Sequence, residues 1–176
     1  MSMLLITSAY EFAKKKYSLS YIIHLEDVYN VLNFYLKPEN NLELFAASYL
    51  HDILKDTDTS YQELVNMFGM NIAELVYLVT DELGRNRKER NEKTYSKIVT
   101  NGYAVILKLA DRIANINTCN KYKNYEKLNI YENEYEDFRN ALKNCNDRFV
   151  GGGWRCLEEM WNSLDRLIDF PDIDYT

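Results

Sequence analysis

A histidine and an aspartate stand side by side at His51 and Asp52, where an apolar stretch of the chain gives way to a polar one. Imidazole and carboxylate groups are ligands for divalent metals such as Mn²⁺, Fe²⁺ and Zn²⁺. Neighbouring residues on a helix point about 100° apart, so both side chains reach one ion only if it lies beside the helix, between their two directions. A hydrogen-bonded pair at a helix boundary is the alternative for these two residues taken alone.

Two further residues would complete a metal site with this pair. His24 is the other histidine of the sequence, and it lies in a second apolar stretch, Tyr21 to Val28. Asp111 lies in a third, from Ile106 to Asn115, where an unpartnered carboxylate would be costly to bury. The four side chains together offer two imidazoles and two carboxylates, with coordination positions left for water and substrate. Such an open set is typical of catalytic rather than structural metal sites.

The order of these residues resembles the HD phosphohydrolase superfamily. The closer resemblance is to the hydrolase domain of the Rel/SpoT alarmone enzymes and of their small stand-alone metazoan homologue. It extends from about Tyr10 to about Thr118 and rests on several motifs taken together. The matching segments are Tyr21-Ile22-Ile23-His24 with Val28, the run from Ala46 to Thr59, Phe68-Gly69, Leu75-Val76, Val79-Thr80-Asp81, and Leu107 to Arg112 with Asn115.

The resemblance implies an enzyme, a metal-dependent nucleotide phosphohydrolase of the HD type. It implies that His24, His51, Asp52 and Asp111 bind the metal, with Mn²⁺ as the expected ion. The expected reaction is removal of phosphate or pyrophosphate from the ribose 3′ position of a nucleotide. The expected substrate is a (p)ppGpp-like alarmone, or another 3′-phosphorylated nucleotide such as NADPH.

Lys55, Asp56 and Asn115 are the expected catalytic residues beside the metal. In the resembling family the position of Asp56, with a glutamate just before it, handles the attacking water. Here Lys55 replaces that glutamate, and an ammonium group does not accept a proton at ordinary pH. In the cyclic-dinucleotide phosphodiesterases of the same superfamily a lysine at this position contacts phosphate. We therefore expect Lys55 to hold a substrate phosphate while Asp56 orients water; the alternative is a solvated lysine at a helix C-terminus.

Asn115 and a set of cationic residues are the remaining site candidates. Asn115 lies one helical turn after Asp111, and by resemblance it reaches towards the nucleotide; a surface asparagine is the alternative. For the cations, the alternatives are salt-bridge partners and a solvated helix start. The candidates for substrate binding are Lys55, Arg87, Lys88, Arg90, Lys108, Arg112 and Asn115.

Two other functions remain open from the sequence. One is a different HD phosphatase or phosphodiesterase, acting on a 5′-nucleotide or on a cyclic or signalling nucleotide, which the lysine at position 55 favours. The other is a catalytically degenerate HD domain that binds a nucleotide or a protein partner. The complete set of four candidate metal ligands argues against the degenerate domain, because an idle site has no reason to retain costly buried polar groups.

The elements that must position these residues are predicted to be helices, with almost no strand signal. We expect an all-α fold, a single compact HD-type domain over residues 1–176 with about eight to nine helices. Ser60 to Glu63 has the pattern of a capping box, and Gly69 and Gly84 are expected at helix C-termini. The predicted helices are Thr7–Lys16, Ile22–Tyr35, Leu42–Leu54, Tyr61–Phe68, Ile72–Leu83, Lys88–Thr100, Tyr103–Asn120, Lys123–Asn144 and Gly153–Phe170.

The composition limits the partners and the compartment. A net charge of −6 argues against binding to bulk nucleic acid or to an anionic membrane surface. No apolar run approaches the roughly 18 residues that span a bilayer, and the first ten residues lack the features of a signal peptide. Three scattered cysteines without CxxC spacing indicate a reduced, cytoplasmic protein. The expected partner is a small-molecule nucleotide, and the expected oligomeric state is a monomer or a homodimer.

Overall fold

The structure is a computed structural model that describes residues 2–143, 145 and 153–169. Every regular element in these residues is helical, which confirms the predicted all-α class. The described residues hold ten α-helices, or nine if α3 and α4 are counted together in place of the single helix predicted over Leu42–Leu54. The elements are α1 (Ser2–Lys16), α2 (Leu19–Tyr35), the 3₁₀ turn Pro38–Asn40, α3 (Leu42–Leu50), α4 (Ile53–Asp56), α5 (Tyr61–Phe68), α6 (Met70–Val79), α7 (Arg87–Ile98), α8 (Gly102–Lys121), α9 (Tyr125–Leu142) and α10 (Gly153–Asp169).

Two buried helices form the centre of the fold. In α3, every residue from Leu44 to Leu50 is buried, so this short helix is apolar on all sides and needs neighbours on all sides. It packs against α1, α2 and α6. The longer α8 packs against α2, α6, α9 and α10, and α2 contacts both α3 and α8. The three helices that carry or precede the candidate metal ligands therefore meet at one place in the core.

The helix that leads into His51 and Asp52 is interrupted at these residues. The predicted single helix Leu42–Leu54 ends at Leu50, and α4 begins at Ile53. Asp52 has φ −103° and ψ 2°, in the sparsely populated bridge region that often holds active-site residues. Its carbonyl oxygen accepts the N–H groups of Lys55 and Asp56, which start the next turn. The break turns the chain so that the site residues lie at a corner rather than along one helix face.

The segment after α6 is a loop rather than the predicted end of a helix. The helix ends at Val79, four residues before the predicted end, so the expectation that Gly84 caps it is wrong. Two lysines of α7 stabilise the loop through its carbonyl oxygens: Lys97 donates to Thr80 and Lys93 donates to Leu83. The other two terminal signals are confirmed: Ser60 Oγ accepts from the backbone N–H of Glu63, and Gly69 ends α5 with φ +87°.

Candidate metal centre

Three of the four predicted metal ligands bring a donor atom to one point. Nε2 of His24 lies 3.4 Å from Oδ1 of Asp111, and Nε2 of His51 lies 3.8 Å from the same oxygen. The donor atoms of the three residues lie within 4.8 Å of one another. The first ligand comes from α2, the second from the end of α3 and the third from α8. His24 and Asp111, which are 87 positions apart in the sequence, thus lie around one small volume together with His51.

The orientation of His51 is fixed by the backbone of its own helix. Its Nδ1 lies 2.8 Å from the carbonyl oxygen of Ser48, which can only accept a hydrogen bond, so Nδ1 carries the proton of the neutral ring. Nε2 then presents a lone pair, and this buried atom has no hydrogen-bond partner in the described part of the chain. Metal-binding histidines are held in this way, with the second ring nitrogen donating to a carbonyl or carboxylate. The arrangement fits a divalent cation.

Asp52 lies beside this group and contacts it through His51. Its Oδ2 lies 3.3 Å from Nε2 of His51 and also accepts a hydrogen bond from the hydroxyl of Tyr21. Its Oδ1 lies 3.8 Å from Nζ of Lys55. Asp52 is not among the three residues whose donor atoms lie within 4.8 Å of one another. The structure therefore gathers all four predicted ligands in one region, with Asp52 at its edge.

The charges in this region favour a cation. Burial disfavours the imidazolium form of His51, but the carboxylates of Asp52 and Asp111 outweigh it and raise the pKa of His51 to about 9. Burial also disfavours an ionised Asp111, yet the positive charge of Lys108 and the hydrogen bond with His24 hold its pKa well below the usual range. The same negative potential that stabilises a proton on Nε2 stabilises a divalent cation, and the two compete for this atom.

Asp111 is itself held by two neighbours on α8. Nζ of Lys108, three residues earlier, lies 3.2 Å from Oδ2. Nδ2 of Asn115, four residues later, donates to Oδ1 at 2.6 Å and to the carbonyl oxygen of Asp111 at 2.9 Å. The sequence predicts that Asn115 and Lys108 contact substrate, and the structure places both against the candidate metal ligand Asp111. The carboxylate is therefore oriented from both sides along its own helix.

Lys55 and Asp56 occupy the rim of the same region on α4. Nζ of Lys55 lies 3.4 Å from Oδ2 of Asp81, on the loop after α6, in addition to its 3.8 Å contact with Asp52. The lysine side chain is 43% exposed, so a molecule in solvent can reach it. Asp56 is exposed, and its backbone N–H bonds to the carbonyl oxygen of Asp52. Two of the three predicted catalytic residues, Lys55 and Asp56, thus lie next to the candidate ligand Asp52 and are exposed to solvent.

Four cationic residues predicted to bind substrate have other surroundings. Arg112 is buried, its guanidinium lying 3.4 Å from Glu134 and 4.6 Å from the ring centres of Tyr131 and Phe138. These surroundings favour the salt-bridge alternative for Arg112 over the substrate role predicted from the sequence.

The three cations of α7 lie against protein groups as well. Arg87 donates to both carboxylate oxygens of Glu134 through Nε and Nη2, and Lys88 lies 3.6 Å from Asp137. Arg90 packs against Gly84, where an added Cβ would lie 2.9 Å from the arginine backbone nitrogen. The contacts of Arg87 and Lys88 are thus with α9, and they tie α7 to that helix.

Three residues that contact the candidate site, Ser48, Tyr21 and Asp81, are not predicted from the sequence. Ser48 and Tyr21 each precede a candidate ligand by three residues on a helix, and this spacing could have identified them as neighbours of His51 and His24. Asp81, the partner of Lys55, lies on a loop that the sequence predicts as helix. No local spacing relates positions 55 and 81, so only the tertiary structure reveals this pair.

Comparisons with known proteins place this geometry in context. No family model matches the chain. The guanosine-3′,5′-bis(diphosphate) 3′-pyrophosphohydrolase of Aquifex aeolicus (strain VF5) is 33% identical to the chain over 146 residues. The match covers 74% of this chain and 20% of that protein. The chain is 34% identical over 83 residues to the guanosine-3′,5′-bis(diphosphate) 3′-pyrophosphohydrolase MESH1 of Danio rerio, covering 46% of each chain. The chain therefore spans about a fifth of the first relative and just under half of the second.

A solved structure shares the fold. The chain superimposes with a TM-score of 0.67 on a metazoan SpoT orthologue described as hydrolysing ppGpp and playing a role in starvation responses. The match covers 93% of this chain and 96% of that protein at 20% sequence identity. The all-helical arrangement of the described residues is thus an arrangement already seen in a solved hydrolase.

Proposed function

We propose that this chain, which belongs to the HD-type hydrolase family and is a homologue of the guanosine-3′,5′-bis(diphosphate) 3′-pyrophosphohydrolases, is a metal-dependent hydrolase of a (p)ppGpp-like nucleotide. The observation that carries the proposal is the convergence of His24, His51 and Asp111, with Asp52 beside them, in a chain aligned with these enzymes. The bond to be cleaved is that between the ribose 3′ oxygen and its pyrophosphate, or a 3′ phosphate in a substrate such as NADPH.

The four ligand candidates would hold one divalent cation, for which we propose Mn²⁺. A set of imidazole nitrogens and carboxylate oxygens suits this ion, although the same donors also bind Fe²⁺, Co²⁺ and Zn²⁺. The buried Nε2 of His51 lies 3.3 Å from Asp52 and 3.8 Å from Asp111 and has no hydrogen-bond partner among the described residues, which supports a metal at this point. When bound, such a cation supplies a Lewis acid that activates water and neutralises phosphoryl charge.

The residues of α4 would act on the water and the phosphate. Asp56 is an exposed carboxylate next to the ligand cluster, so it can accept a hydrogen bond from water and orient it for attack. Lys55 can donate to a phosphate oxygen, because its ammonium is partly exposed and charged: burial opposes its charge, but Asp52 and Asp81 outweigh this and raise its pKa. A positively charged donor at this position stabilises the charge that develops as the ester bond breaks.

A groove that starts at His24 has room for the body of a nucleotide. It has a volume of about 870 Å³, within the range of small-molecule sites, and it runs between α2, α8 and α10. Its walls are apolar at Ile23 and Phe34, while Asn117 and Thr118 offer hydrogen-bonding groups. These features support a ligand with a flat, polar-edged base that extends away from the metal ligands.

The setting of the protein is part of the proposal. Cys119, Cys145 and Cys156 are all free thiols and buried, which supports the reduced cytoplasmic compartment that the sequence suggests. None of the described helices has the length and apolar character needed to cross a membrane. A monomer or a homodimer remains the expected assembly, which light scattering on the purified protein measures directly.

A second function, hydrolysis of another signalling nucleotide, is favoured by one observation. Lys55 replaces the glutamate of the alarmone enzymes and lies between two carboxylates, where it cannot serve as a proton acceptor. The third function is that of a domain that binds a nucleotide in the groove and does not hydrolyse it.

One experiment separates the three functions. Purified protein is analysed for bound metal and incubated with ppGpp, pppGpp, NADPH, a 5′-mononucleotide and a cyclic dinucleotide, with and without Mn²⁺. The proposal expects Mn²⁺-dependent release of pyrophosphate from ppGpp. Cleavage restricted to the cyclic dinucleotide or the 5′-mononucleotide would select the second function, and bound nucleotide without turnover would select the third.

A further inference from the structure

The hydroxyl of Tyr21 connects one candidate metal-binding helix to the ligand of another. Tyr21 lies on α2, three residues before His24, and its hydroxyl donates a hydrogen bond to Oδ2 of Asp52 across a sequence separation of 31 residues. That oxygen also lies 3.3 Å from Nε2 of His51. Tyr21 therefore bonds to the oxygen of Asp52 that faces the ligand cluster.

Apart from the contact with His51, Asp52 has little else to fix that oxygen. It lies at the break between α3 and α4, and its side chain makes no capping hydrogen bond to α4. The other charged neighbour, Lys55, lies 3.8 Å from the opposite oxygen and has a partly exposed side chain. A carboxylate on an irregular backbone rotates freely unless a donor holds it, and the tyrosine hydroxyl is a donor on a rigid helix.

The ring of Tyr21 is held in turn by its neighbours on α2. It stacks on Tyr17 with ring centres 4.5 Å apart and an angle of 23° between the planes. Its other side meets His24 edge-on, with ring centres 5.5 Å apart. The hydroxyl is thus placed by a fixed ring, and any movement of α2 would displace His24 and the donor to Asp52 together.

We propose that Tyr21 is a positioning residue that orients Asp52 for metal binding, an inference that rests on the proposed metal-dependent function. Groups that hydrogen-bond to metal ligands contribute roughly 10- to 100-fold to metal affinity in proteins. Tyr21 does not touch the metal or the substrate in this account. Its effect passes through the direction of the Asp52 carboxylate.

The test compares Tyr21→Phe with Tyr17→Phe. Both changes remove one hydroxyl and keep the stacked rings, but the hydroxyl of Tyr17 is buried without a hydrogen-bond partner in the described chain. Mn²⁺ titration of the purified, folded proteins should show affinity reduced by roughly 10- to 100-fold in Tyr21→Phe and unchanged in Tyr17→Phe. Activity of Tyr21→Phe should recover when Mn²⁺ is raised to saturation, because the ligands themselves are intact.

A double-mutant cycle in metal-free protein distinguishes this inference from the proposed function. Tyr21→Phe and Asp52→Ala should have non-additive effects on the free energy of unfolding, because the first removes the donor and the second the acceptor of the same hydrogen bond. Coupling with unchanged Mn²⁺ affinity in Tyr21→Phe would overturn the positioning role and leave the metal site standing. A wild-type protein that binds no Mn²⁺ would overturn the proposed function and, with it, the metal role of Tyr21. Additive effects of the two substitutions on the free energy of unfolding would show that the hydrogen bond between Tyr21 and Asp52 contributes nothing.

Discussion

Nζ of Lys108 lies 3.2 Å from Oδ2 of Asp111, one helical turn away on α8, while Oδ1 of the same carboxylate faces the imidazoles of His24 and His51. The two oxygens of Asp111 thus have separate roles: one is neutralised within the protein and the other is directed at the ligand cluster. The lysine and the aspartate have side chains that are 14% and 13% exposed, so the pair is largely withdrawn from water.

Lys108→Met should lower the free energy of unfolding by about 3 kcal/mol, because it leaves a buried carboxylate without its main counter-charge. The matched control is Lys14→Met, which breaks a pair with the same i, i+3 spacing to Glu11 at the surface. Exposed pairs contribute about 0–1 kcal/mol, so the control should hardly change stability. Urea denaturation of the metal-free proteins measures both values, and equal losses would contradict the central role of this pair.

Lys55→Gln and Asp81→Asn should change substrate binding in opposite directions. If Lys55 holds a phosphate, its loss should raise KM about tenfold, since a charged hydrogen bond contributes about 1.5–3 kcal/mol. Asp81 attracts the same ammonium from 3.4 Å away, so Asp81→Asn should free it and leave KM unchanged or lower. Steady-state kinetics at saturating Mn²⁺ gives both numbers, and a rise of KM in both variants would argue that the pair only supports the loop.

Arg112→Met should reduce stability without changing substrate binding. The guanidinium lies against Glu134, Tyr131 and Phe138 in the interior, so its removal should cost about 1–3 kcal/mol of unfolding free energy. KM for the nucleotide should stay within about twofold of wild type. Thermal unfolding and kinetics on one preparation check the two statements, and a large increase in KM at unchanged stability would restore the substrate role predicted from sequence.

Glu89→Gln should weaken the protein most above pH 4.5. Hydrogen bonds from Lys93 and Arg85 lower the pKa of Glu89 from 4.5 to about 2. A lowered pKa means that the folded state binds protons less readily than the unfolded state, so the contribution is fully present above about pH 4.5 and is lost as pH falls through 2. The difference in melting temperature between wild type and variant should therefore shrink with acidification over this range.

An exposed pair provides the comparison for that experiment. Glu159→Gln removes a contact with Arg155 whose side chain is 87% exposed, and it should have little effect at any pH. A difference for Glu89→Gln that stays constant from pH 6 to pH 2 would show that the carboxylate makes no charge-dependent contribution to the loop between α6 and α7.

The sequence predicts the helices and the identity of the ligand cluster, and it fails at positions that depend on distant partners. Apolar periodicity located α2, α3 and α8 because each buries a broad face, and the rarity of histidine drew attention to His24 and His51. The break at Asp52 is not predicted, because apolar residues lie both before His51 and after Asp52, as in one continuous helix. The enclosed setting of Arg112 is not predicted from the sequence, because Glu134, Tyr131 and Phe138 come from α9 and no spacing along α8 relates Arg112 to them.

The most direct test of the proposed metal-dependent function is to measure metal content and pyrophosphate release on wild type and on Asp111→Asn. The wild type should bind one Mn²⁺ per chain and release pyrophosphate from ppGpp only when Mn²⁺ is present. Both should be lost in Asp111→Asn while the helical circular dichroism spectrum is retained. A wild type that releases pyrophosphate equally well in the presence of a strong chelator, or an Asp111→Asn protein that keeps metal and turnover, would contradict it.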